Sequence, residues 1–376
     1  MRKIGLITLF EENYGSILQC YSTKTFVESL GYECDVLSFN EAPRNFIEKL
    51  AKYIKKILKI LRYPSFLRYI VNEKRKKTHS SLSLGTRKRM EDFISQTFHP
   101  QKVTEKDLKK SDWINQYDFF IAGSDQIWSP KKDIYPFRFL SFAPIEKRIT
   151  LSVSFGISDV PEYNKKQIRK LLQNYKSISV REETGIKIVE KYSSAKAIRT
   201  ADPTIIYTKK NWEDFSNGLS IDSDYILVHF LDTPNKIALK SINELTTRLG
   251  INVIAVGYNY EIFRKLKNFK FMDASPKEYI ALISQAKYIL TDSFHTSIFS
   301  INLTKEFFVF ARQYSLIPQS SRIIDLLHRF NLSNRFITSI NDLNRALQEK
   351  NTDDVQKTIQ NERDALREYL KNALEA

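Results

Sequence analysis

The sequence is poor in the residues that build disulfide-rich or metal-binding proteins. Its 376 residues include only two cysteines, Cys20 and Cys34, and five histidines. The cysteines form no C-x-x-C pair, so neither a disulfide framework nor a zinc site is predicted. We expect both thiols to be small core residues. No bound metal is expected, and a reducing, cytoplasmic setting is the simplest interpretation.

Long apolar runs and common catalytic motifs are also missing. No stretch reaches the roughly 18 uncharged apolar residues that a transmembrane helix requires. The first apolar run, Ile4 to Leu9, is too short for a signal peptide and lacks a small-residue cleavage site. P-loop, G-x-G-x-x-G, H-E-x-x-H and G-x-S-x-G patterns do not occur. A dinucleotide-binding enzyme is therefore disfavoured.

Charge, by contrast, is plentiful and unevenly placed. The chain has 59 Lys and Arg against 43 Asp and Glu, for a formal net charge of +16. Residues 44–77 contain twelve Lys or Arg and two Glu, so most of the excess lies in this segment. Apolar side chains recur there at three- and four-residue steps from Phe46 to Leu61, with lysines between them. This pattern predicts a basic amphipathic helical insertion, broken at Pro64.

Three interpretations of residues 44–77 remain open. The segment could pack on its own domain as a solvated helix, attach to an anionic membrane surface, or bind nucleic acid. Near an anionic bilayer each Lys or Arg contributes roughly 1 kcal/mol, and Phe, Ile, Leu and Tyr can enter the interface. We favour a peripheral position at the inner face of the membrane and expect no nucleic-acid partner.

The rest of the chain alternates short apolar runs with amphipathic stretches, as parallel α/β proteins do. The first unit is a strand over residues 3–9, a helix capped by Ser16 and closed by Gly31, and a strand over 34–39. A polar stretch at 211–224 precedes a second half with the same alternation. Two doubly wound, Rossmann-like parallel sheets facing a cleft are predicted. Their domains span residues 1–215 and 222–350, and a C-terminal helix spans 353–376.

Ligands of such sheets bind beyond the carboxyl ends of the strands, and polar clusters follow four predicted strands. Asn13-Tyr14-Gly15 with Gln19 follows the first strand, where a glycine and a helix N-terminus favour close approach of an anion. Ser124-Asp125-Gln126 follows the strand over 118–122 and suits hydroxyl recognition. Each cluster could equally be an ordinary helix cap.

The other two clusters hold a cation and an imidazole. Arg181 and Glu182 follow a strand over 177–180, and Arg is suited to bidentate contact with carboxylate or phosphate. His295 lies beside Asp292, Ser293 and Thr296, and an imidazole titrates near neutrality and can move protons. A functional His295 is the strongest hypothesis of the four. Asp202-Pro203 is interpreted as a turn.

Together these residues resemble the polysaccharide pyruvyl transferase family. The matching motifs occur in the family's order over roughly residues 3–330, and each is weak alone. They are Asn13-Tyr14-Gly15 with Leu18-Gln19, Ala122-Gly123-Ser124-Asp125-Gln126-Ile127-Trp128, Ser179-Val180-Arg181-Glu182-Glu183, Asp202-Pro203-Thr204, Thr291-Asp292-Ser293-Phe294-His295 and Ser321-Arg322-Ile323. One departure is Thr296, where many relatives have Gly. Loss of that Gly would narrow the approach of the backbone to a ligand.

The resemblance implies a glycosyltransferase-B-like fold, phosphoenolpyruvate as co-substrate without a further cofactor, and a sugar acceptor. The product would be a pyruvate ketal in a capsular or exopolysaccharide, formed on a lipid-pyrophosphate-linked sugar. His295, Arg181 and Glu182 would be catalytic, with the acceptor on the first domain and the donor on the second. Donor-binding candidates are Asp292, Ser293, Thr296, Lys305 and Arg312, and acceptor-binding candidates are Asn13, Tyr14, Gly15, Gln19, Ser124, Asp125 and Gln126.

Two other functions are kept as alternatives. One is a glycosyltransferase that uses a nucleotide sugar, which a base-stacking and diphosphate site in the second domain would favour. The other is a non-catalytic module that binds the membrane surface, which an Arg-lined donor pocket would disfavour.

Overall fold

A computed structural model describes residues 2–39, 46–78, 81–216, 218–266, 268–313, 320–349 and 354–375 of the chain. Residues 1, 350, 353 and 376, where predicted units begin or end, lie outside this part. So do residues 44, 45 and 217 and the side chains of residues 72–77.

Fourteen strands occur in the described part of the chain. In chain order they are β1 (Lys3–Ile7), β2 (Glu33–Phe39), β3 (Ser81–Leu82), β4 (Gln101–Val103), β5 (Phe119–Ala122), β6 (Arg148–Thr150), β7 (Ile178–Val180), β8 (Ala197–Arg199), β9 (Tyr225–His229), β10 (Asn252–Val256), β11 (Tyr258–Asn259), β12 (Phe269–Met272), β13 (Tyr288–Thr291) and β14 (Phe307–Val309).

The same part of the chain contains fourteen α-helices, together with several short 3₁₀ turns. They are α1 (Tyr14–Ser29), α2 (Phe46–Arg62), α3 (Pro64–Thr78), α4 (Leu84–Phe98), α5 (Ser111–Ile114), α6 (Lys165–Leu171), α7 (Glu183–Tyr192), α8 (Lys209–Phe215), α9 (Lys236–Leu249), α10 (Pro276–Gln285), α11 (Phe294–Asn302), α12 (Ser320–Arg329), α13 (Ile340–Gln348) and α14 (Asp354–Glu375).

Two parallel sheets form the centres of two Rossmann-like units. The first has the order β4-β2-β1-β5-β6, and single bridges from Ile149 to Ser177 and from Val153 to Val180 continue it toward β7 and β8. The second has the order β12-β10-β9-β13-β14. In both sheets the order reverses beside the first strand, β1 or β9, and a doubly wound sheet binds ligands at that point. The predicted fold class is confirmed.

The helices that follow β1 and β13 begin at side-chain caps. Asn13 caps α1, because its Oδ1 accepts from the backbone N–H groups of Gly15 (2.8 Å) and Ser16 (3.4 Å). Ser293 caps α11 by accepting from the N–H of Thr296 at 3.3 Å. The prediction that Ser16 caps the first helix was therefore wrong. Asn13 is the cap three residues earlier, and the helix begins at Tyr14.

Two other predicted elements differ from the structure. The strand predicted through Ser154 ends at Thr150, since Ser152 adopts a left-handed backbone with φ of 54° and interrupts the pairing. The polar stretch predicted as an interdomain linker begins inside α8, which a capping box between Thr208 and Asn211 starts. Polar composition there reflects a solvated helix as well as a connection.

Contacts between the two units are extensive. β3 pairs antiparallel with β11, and Asp273 accepts hydrogen bonds from Ser83 and Thr86 at the start of α4. The ring of Tyr14 stacks on that of Tyr279, with centroids 4.2 Å apart. One buried apolar cluster runs from α1 into α10 and α11. The two units therefore share a core.

The long helix α14 packs back on the first unit. Tyr369 donates to the carbonyl of Thr150 (2.7 Å), and Arg363 Nε donates to that of Ile205 (2.6 Å). Arg363 Nη2 also donates to Asn302 Oδ1 at the end of α11 (2.6 Å). One arginine thus links the first unit to the helix that carries His295.

Helices α2 and α3 form the predicted basic insertion, and no side chain of α2 is buried. Within the described residues, none of the helices is both long enough and apolar enough to cross a bilayer.

Candidate active site

Arg181, Asp202 and His295 meet at the junction of the two units. Arg181 Nη1 donates to Asp202 Oδ2 at 2.5 Å, and His295 Nε2 lies 3.4 Å from both of these atoms. All three side chains are buried. The sheets thus bring together Arg181 after β7 and His295 in α11, which are 114 residues apart in the sequence.

Asp202 is the centre of this cluster. Its Oδ1 accepts from the N–H and hydroxyl of Thr204 (3.1 and 2.8 Å), while Oδ2 also accepts from Ser124 at 2.9 Å. Burial opposes its charge, but His295, Arg181 and these hydrogen bonds outweigh burial and hold its pKa well below the usual range. Asp202 does begin a 3₁₀ turn, as predicted, but that interpretation missed its second oxygen.

Asp125 is a second buried carboxylate facing Arg181. Its Oδ2 accepts from Ser16 Oγ at 2.5 Å, and its Oδ1 lies 3.6 Å from Arg181 Nη2. Burial opposes the charge, but His295 and Arg181 outweigh it and lower the pKa of Asp125. The residue has a left-handed backbone with φ of 67°, a conformation that non-glycine residues adopt mainly where the surroundings impose it.

Glu182 places one oxygen in a backbone nest and the other beside Arg181. Its Oε1 accepts from Ser154 Oγ (2.8 Å) and from the N–H groups of Phe155 (3.1 Å) and Gly156 (3.3 Å). Its Oε2 lies 4.0 Å from Arg181 Nε and has no hydrogen-bond partner among the described residues. This second oxygen is free to accept from a ligand.

Arg322 is a buried cation in the motif Ser321-Arg322-Ile323, for which the sequence predicted no role. The Gln126 amide oxygen, turned toward Arg322, accepts from its Nη2 at 2.7 Å. The centre of the Phe294 ring lies 4.2 Å from the guanidinium carbon of Arg181 and 5.8 Å from that of Arg322. Burial and the neighbouring Arg181 lower the pKa of Arg322 to about 10. Its positive charge is therefore incompletely balanced.

Gly15 leaves room for the imidazole ring of His295. A Cβ at Gly15 would overlap the imidazole ring, so only glycine allows this approach. The N-terminal turns of α1 and α11 consequently face the same small volume, and helix N-termini attract anions. Asn13 caps the first of these turns, whereas Tyr14 points to the second unit and donates to the carbonyl of Ala274 (2.7 Å).

Thr296 faces a polar group behind His295. Its hydroxyl lies 2.8 Å from His229 Nδ1 and 2.9 Å from the hydroxyl of Tyr279. Burial, with the charges of Arg312 and His295, lowers the pKa of His229 to about 3, so this imidazole is neutral. The Thr296 hydroxyl thus ties the first turn of α11 to β9 and α10. His229, the last residue of β9, was not predicted as part of the site.

The other predicted donor residues separate into two places. Asp292 accepts from the N–H groups of Leu231 (2.6 Å) and Asp232 (3.0 Å), and Arg312 Nε lies 3.5 Å from it. Lys305 lies beyond the far end of α11, where Lys209 and Glu213 are its charged neighbours. Since α11 is about 13 Å long, the structure does not bring Lys305 to His295.

Gln19 braces the loop after β1. Its Nε2 donates to Thr8 Oγ1 (2.8 Å) and to the carbonyls of Leu9 (2.6 Å) and Ser16 (2.9 Å). This amide nitrogen is fully engaged within the protein, so Gln19 acts on the site through the loop that presents Ser16.

Two cavities border the cluster. A narrow one of about 10 Å³, near what a single water needs, is lined by Arg181, Glu182, Asp202, Phe294 and Arg322 together with Arg329. A larger cleft of about 850 Å³ opens at the carboxyl ends of β1, β2 and β4. Ser16 lines this cleft and donates to Asp125, so one side chain joins the cleft to the cluster.

The arrangement combines an imidazole, three carboxylates and two guanidinium groups beside two helix N-termini. It can bind an anion, move a proton through His295 and accept a proton from a hydroxyl. In the described part of the chain, no three His, Cys, Asp or Glu side chains are grouped so as to hold a metal ion.

Several solved structures share this architecture at low sequence identity. S. aureus MnaA in a co-structure with UDP is 11% identical, with a TM-score of 0.53 over 93% of this chain and 88% of that chain. UDP-N-acetylglucosamine 2-epimerase from Rickettsia bellii is 10% identical, with a TM-score of 0.53 over 99% and 97%. UDP-GlcNAc 2-epimerase from Methanocaldococcus jannaschii, in complex with UDP-GlcNAc and UDP, is 11% identical, with a TM-score of 0.52 over 94% of each chain.

At such low identity these likenesses establish the glycosyltransferase-B-like fold alone. No curated protein sequence matches the chain. The sequence profile of the polysaccharide pyruvyl transferases matches residues 13–314, which include every residue of the cluster except Arg322. The chain therefore belongs to the polysaccharide pyruvyl transferase family.

Proposed function

We propose that this transferase moves the enolpyruvyl group of phosphoenolpyruvate onto two hydroxyls of a sugar, giving a pyruvate ketal in a surface polysaccharide. The observation that carries the proposal is the buried contact of His295 with Arg181 and Asp202, between two helix N-termini and beside Arg322. Such a site offers guanidinium N–H groups, two helix N-termini and a proton donor to one small anion.

The carboxylate and phosphate of the donor need N–H groups that the protein has not already engaged. Arg181 faces three carboxylates, yet its Nε and Nη2 have no hydrogen-bond partner among the described residues. The Nε of Arg322 is likewise without one there. We assign the donor carboxylate and phosphate to these guanidinium groups, with Arg312 on the far side of Asp292 adding positive potential. The narrow cavity is smaller than phosphoenolpyruvate, so the α12 side chains must move apart on binding.

His295 supplies the proton that starts the reaction. Protonation of the methylene carbon makes the neighbouring C2 electrophilic, and a sugar hydroxyl then attacks C2. A protonated His295 has the Asp202 carboxylate as its counter-ion at 3.4 Å. Asp202 and Gly15 are therefore positioning residues, which fix the ring against Arg181 and the donor.

The acceptor enters from the cleft beside Ser16. Asp125 and the free oxygen of Glu182 are the carboxylates that can orient or deprotonate its hydroxyls. The bond from C2 to the phosphate oxygen breaks, and the second hydroxyl closes the ketal on C2. One hydroxyl proton replaces the proton that His295 gave to the methyl group, and the other leaves with phosphate.

Turnover of phosphoenolpyruvate with candidate sugars tests the proposal. We expect phosphate release that depends on the sugar, together with a mass gain of the sugar equal to one ketal. Stabilisation against heat by UDP-sugars but not by phosphoenolpyruvate, without phosphate release, would instead indicate a glycosyltransferase and overturn it.

A further inference from the structure

Helix α2 turns its apolar face to solvent. Of the fourteen large apolar side chains exposed in the described part of the chain, ten lie between Phe46 and Val71. Eight of them belong to α2 and define what we call the α2 apolar face: Phe46, Ile47, Leu50, Tyr53, Ile54, Ile57, Leu58 and Leu61. Their exposures run from 40% to 76%, so this face contributes nothing to the core.

The opposite face of α2 holds the helix to the protein. Lys59 Nζ donates to Asn164 Oδ1 at 2.9 Å and lies 4.5 Å from the centre of the Tyr163 ring. Lys52 Nζ lies 3.4 Å from Asp133 and 5.7 Å from the ring centre of Tyr135. Because Lys52 and Lys59 are on the polar side of the helix, these contacts direct the apolar side away from the protein.

Basic side chains border the α2 apolar face on both edges. At about 100° per residue, Lys49 and Lys56 fall along one edge and Lys55 and Arg62 along the other. The helix contains six Lys or Arg and one Glu. An apolar stripe between two rows of cations is the arrangement of helices that lie in a membrane interface.

We propose that α2 docks the protein on an anionic bilayer, with its apolar face in the interface and Lys49, Lys55, Lys56 and Arg62 at the phosphate groups. The positive charge of α2 favours an anionic bilayer over a second copy of the chain as the partner of this face. A dimer through the α2 apolar faces would bring two sets of these cations together, whereas an anionic bilayer supplies the opposite charge.

This docking brings the membrane to the rim of the large cleft. Phe39, at the end of β2, lines the cleft, and α2 begins seven residues later. Tyr135, which Lys52 contacts, directly precedes a short 3₁₀ turn whose Phe137 and Arg138 also line the cleft. Resting on the proposed function, this geometry identifies the acceptor class as a sugar carried by a membrane lipid.

Co-sedimentation of the full chain with vesicles tests the docking without any substrate. We expect binding to mixed phosphatidylglycerol and phosphatidylcholine vesicles and little binding to phosphatidylcholine alone. Replacing Leu50 and Ile54 by Ser should weaken binding about tenfold or more. The matched control is Ile145→Ser with Ile198→Ser, because these four side chains have nearly equal exposures, 47%, 48%, 45% and 49%. The control should bind like the wild type.

A second variant separates charge from apolar contact. Lys49→Gln with Lys56→Gln should lose most of the preference for anionic vesicles, and neither side chain contributes to the core. Absence of vesicle binding by the wild type would overturn the proposal, as would a dimer in solution that the Leu50→Ser, Ile54→Ser variant dissociates. Vesicle binding without phosphoenolpyruvate turnover would remove the proposed function and leave the docking intact.

Discussion

The imidazole of His295, in the second unit, packs on the backbone of Gly15 in the first, where any Cβ would overlap the ring. Gly15→Ala should therefore displace His295 from Arg181 and Asp202. A misplacement of about 1 Å can reduce turnover by about 10²-fold. Phosphate release under saturating substrates measures this effect, and thermal unfolding shows whether the fold persists. Turnover near the wild-type rate would mean that His295 does not need this position.

His295→Gln should reduce kcat by about 10²- to 10⁴-fold, since the amide keeps polarity but cannot move a proton at neutral pH. The comparison is His328→Gln, which changes an exposed histidine on α12. We expect that variant to behave like the wild type in both turnover and unfolding. Equal activity of the two variants would remove His295 from the mechanism.

Arg322→Gln should raise the KM for phosphoenolpyruvate by about tenfold or more, because a charged hydrogen bond contributes roughly 1.5 to 3 kcal/mol. Arg322→Lys should restore part of the loss, as it keeps the charge without the fork of donors. Arg367→Gln serves as the control, because this side chain of α14 is 42% exposed. If Arg322 were merely structural, the fraction of active enzyme would fall and KM would stay constant.

Asp202→Asn should destabilise the protein by about 3 to 5 kcal/mol, because it leaves Arg181 buried with a weaker set of counter-charges. Denaturation in urea measures the change in the free energy of unfolding. Asp364→Asn removes a carboxylate from an exposed ion pair and should cost less than about 1 kcal/mol. Equal losses of unfolding free energy in the two variants would show that the buried pair of Arg181 and Asp202 stabilises the protein no more than an exposed pair.

The neutral state of His229 makes stability depend on pH. Its pKa is about 3 in the folded protein against 6.5 as a free side chain, so the unfolded chain takes up a proton first as the pH falls. This contribution to stability is complete above pH 6.5 and decreases by about 1.4 kcal/mol per pH unit on acidification toward pH 3. His229→Gln should flatten the slope between pH 6.5 and 4.5, as measured by urea denaturation. If the dependence of the unfolding free energy on pH stayed unchanged in this variant, other titrating groups would be its cause.

The fold could be predicted from the sequence because each strand and helix has its own local signal. The alternation of short apolar runs with amphipathic stretches, and glycines such as Gly31 and Gly250 after helices, suffice for two doubly wound sheets. The rule that ligands lie at strand ends also led to Arg181 and His295. The structure brings these two side chains within 3.4 Å of each other.

What the sequence could not show depends on how separate elements pack. Asp202 precedes a proline and has the local pattern of a turn, although its second oxygen joins Arg181 and His295. Arg322 reaches the cluster from α12, and His229 reaches it from the last position of β9. Arg322 stands in the motif Ser321-Arg322-Ile323, which by itself indicates no role, and His229 lies within the apolar run over 225–230 that predicts the strand. Lys305 was chosen by its charge near a helix, but the length of α11 separates it from His295.

Arg363 restricts how the two units can move to admit substrates. It ties Asn302, at one end of α11, to the carbonyl of Ile205, while the other end of the same helix rests on Gly15. Swinging the two halves apart like a hinge would break both attachments and the stack of Tyr14 on Tyr279 at once. The reaction centre thus lies at an interface that cannot open as a hinge. Substrates must enter through the openings that Ser16 and α12 border.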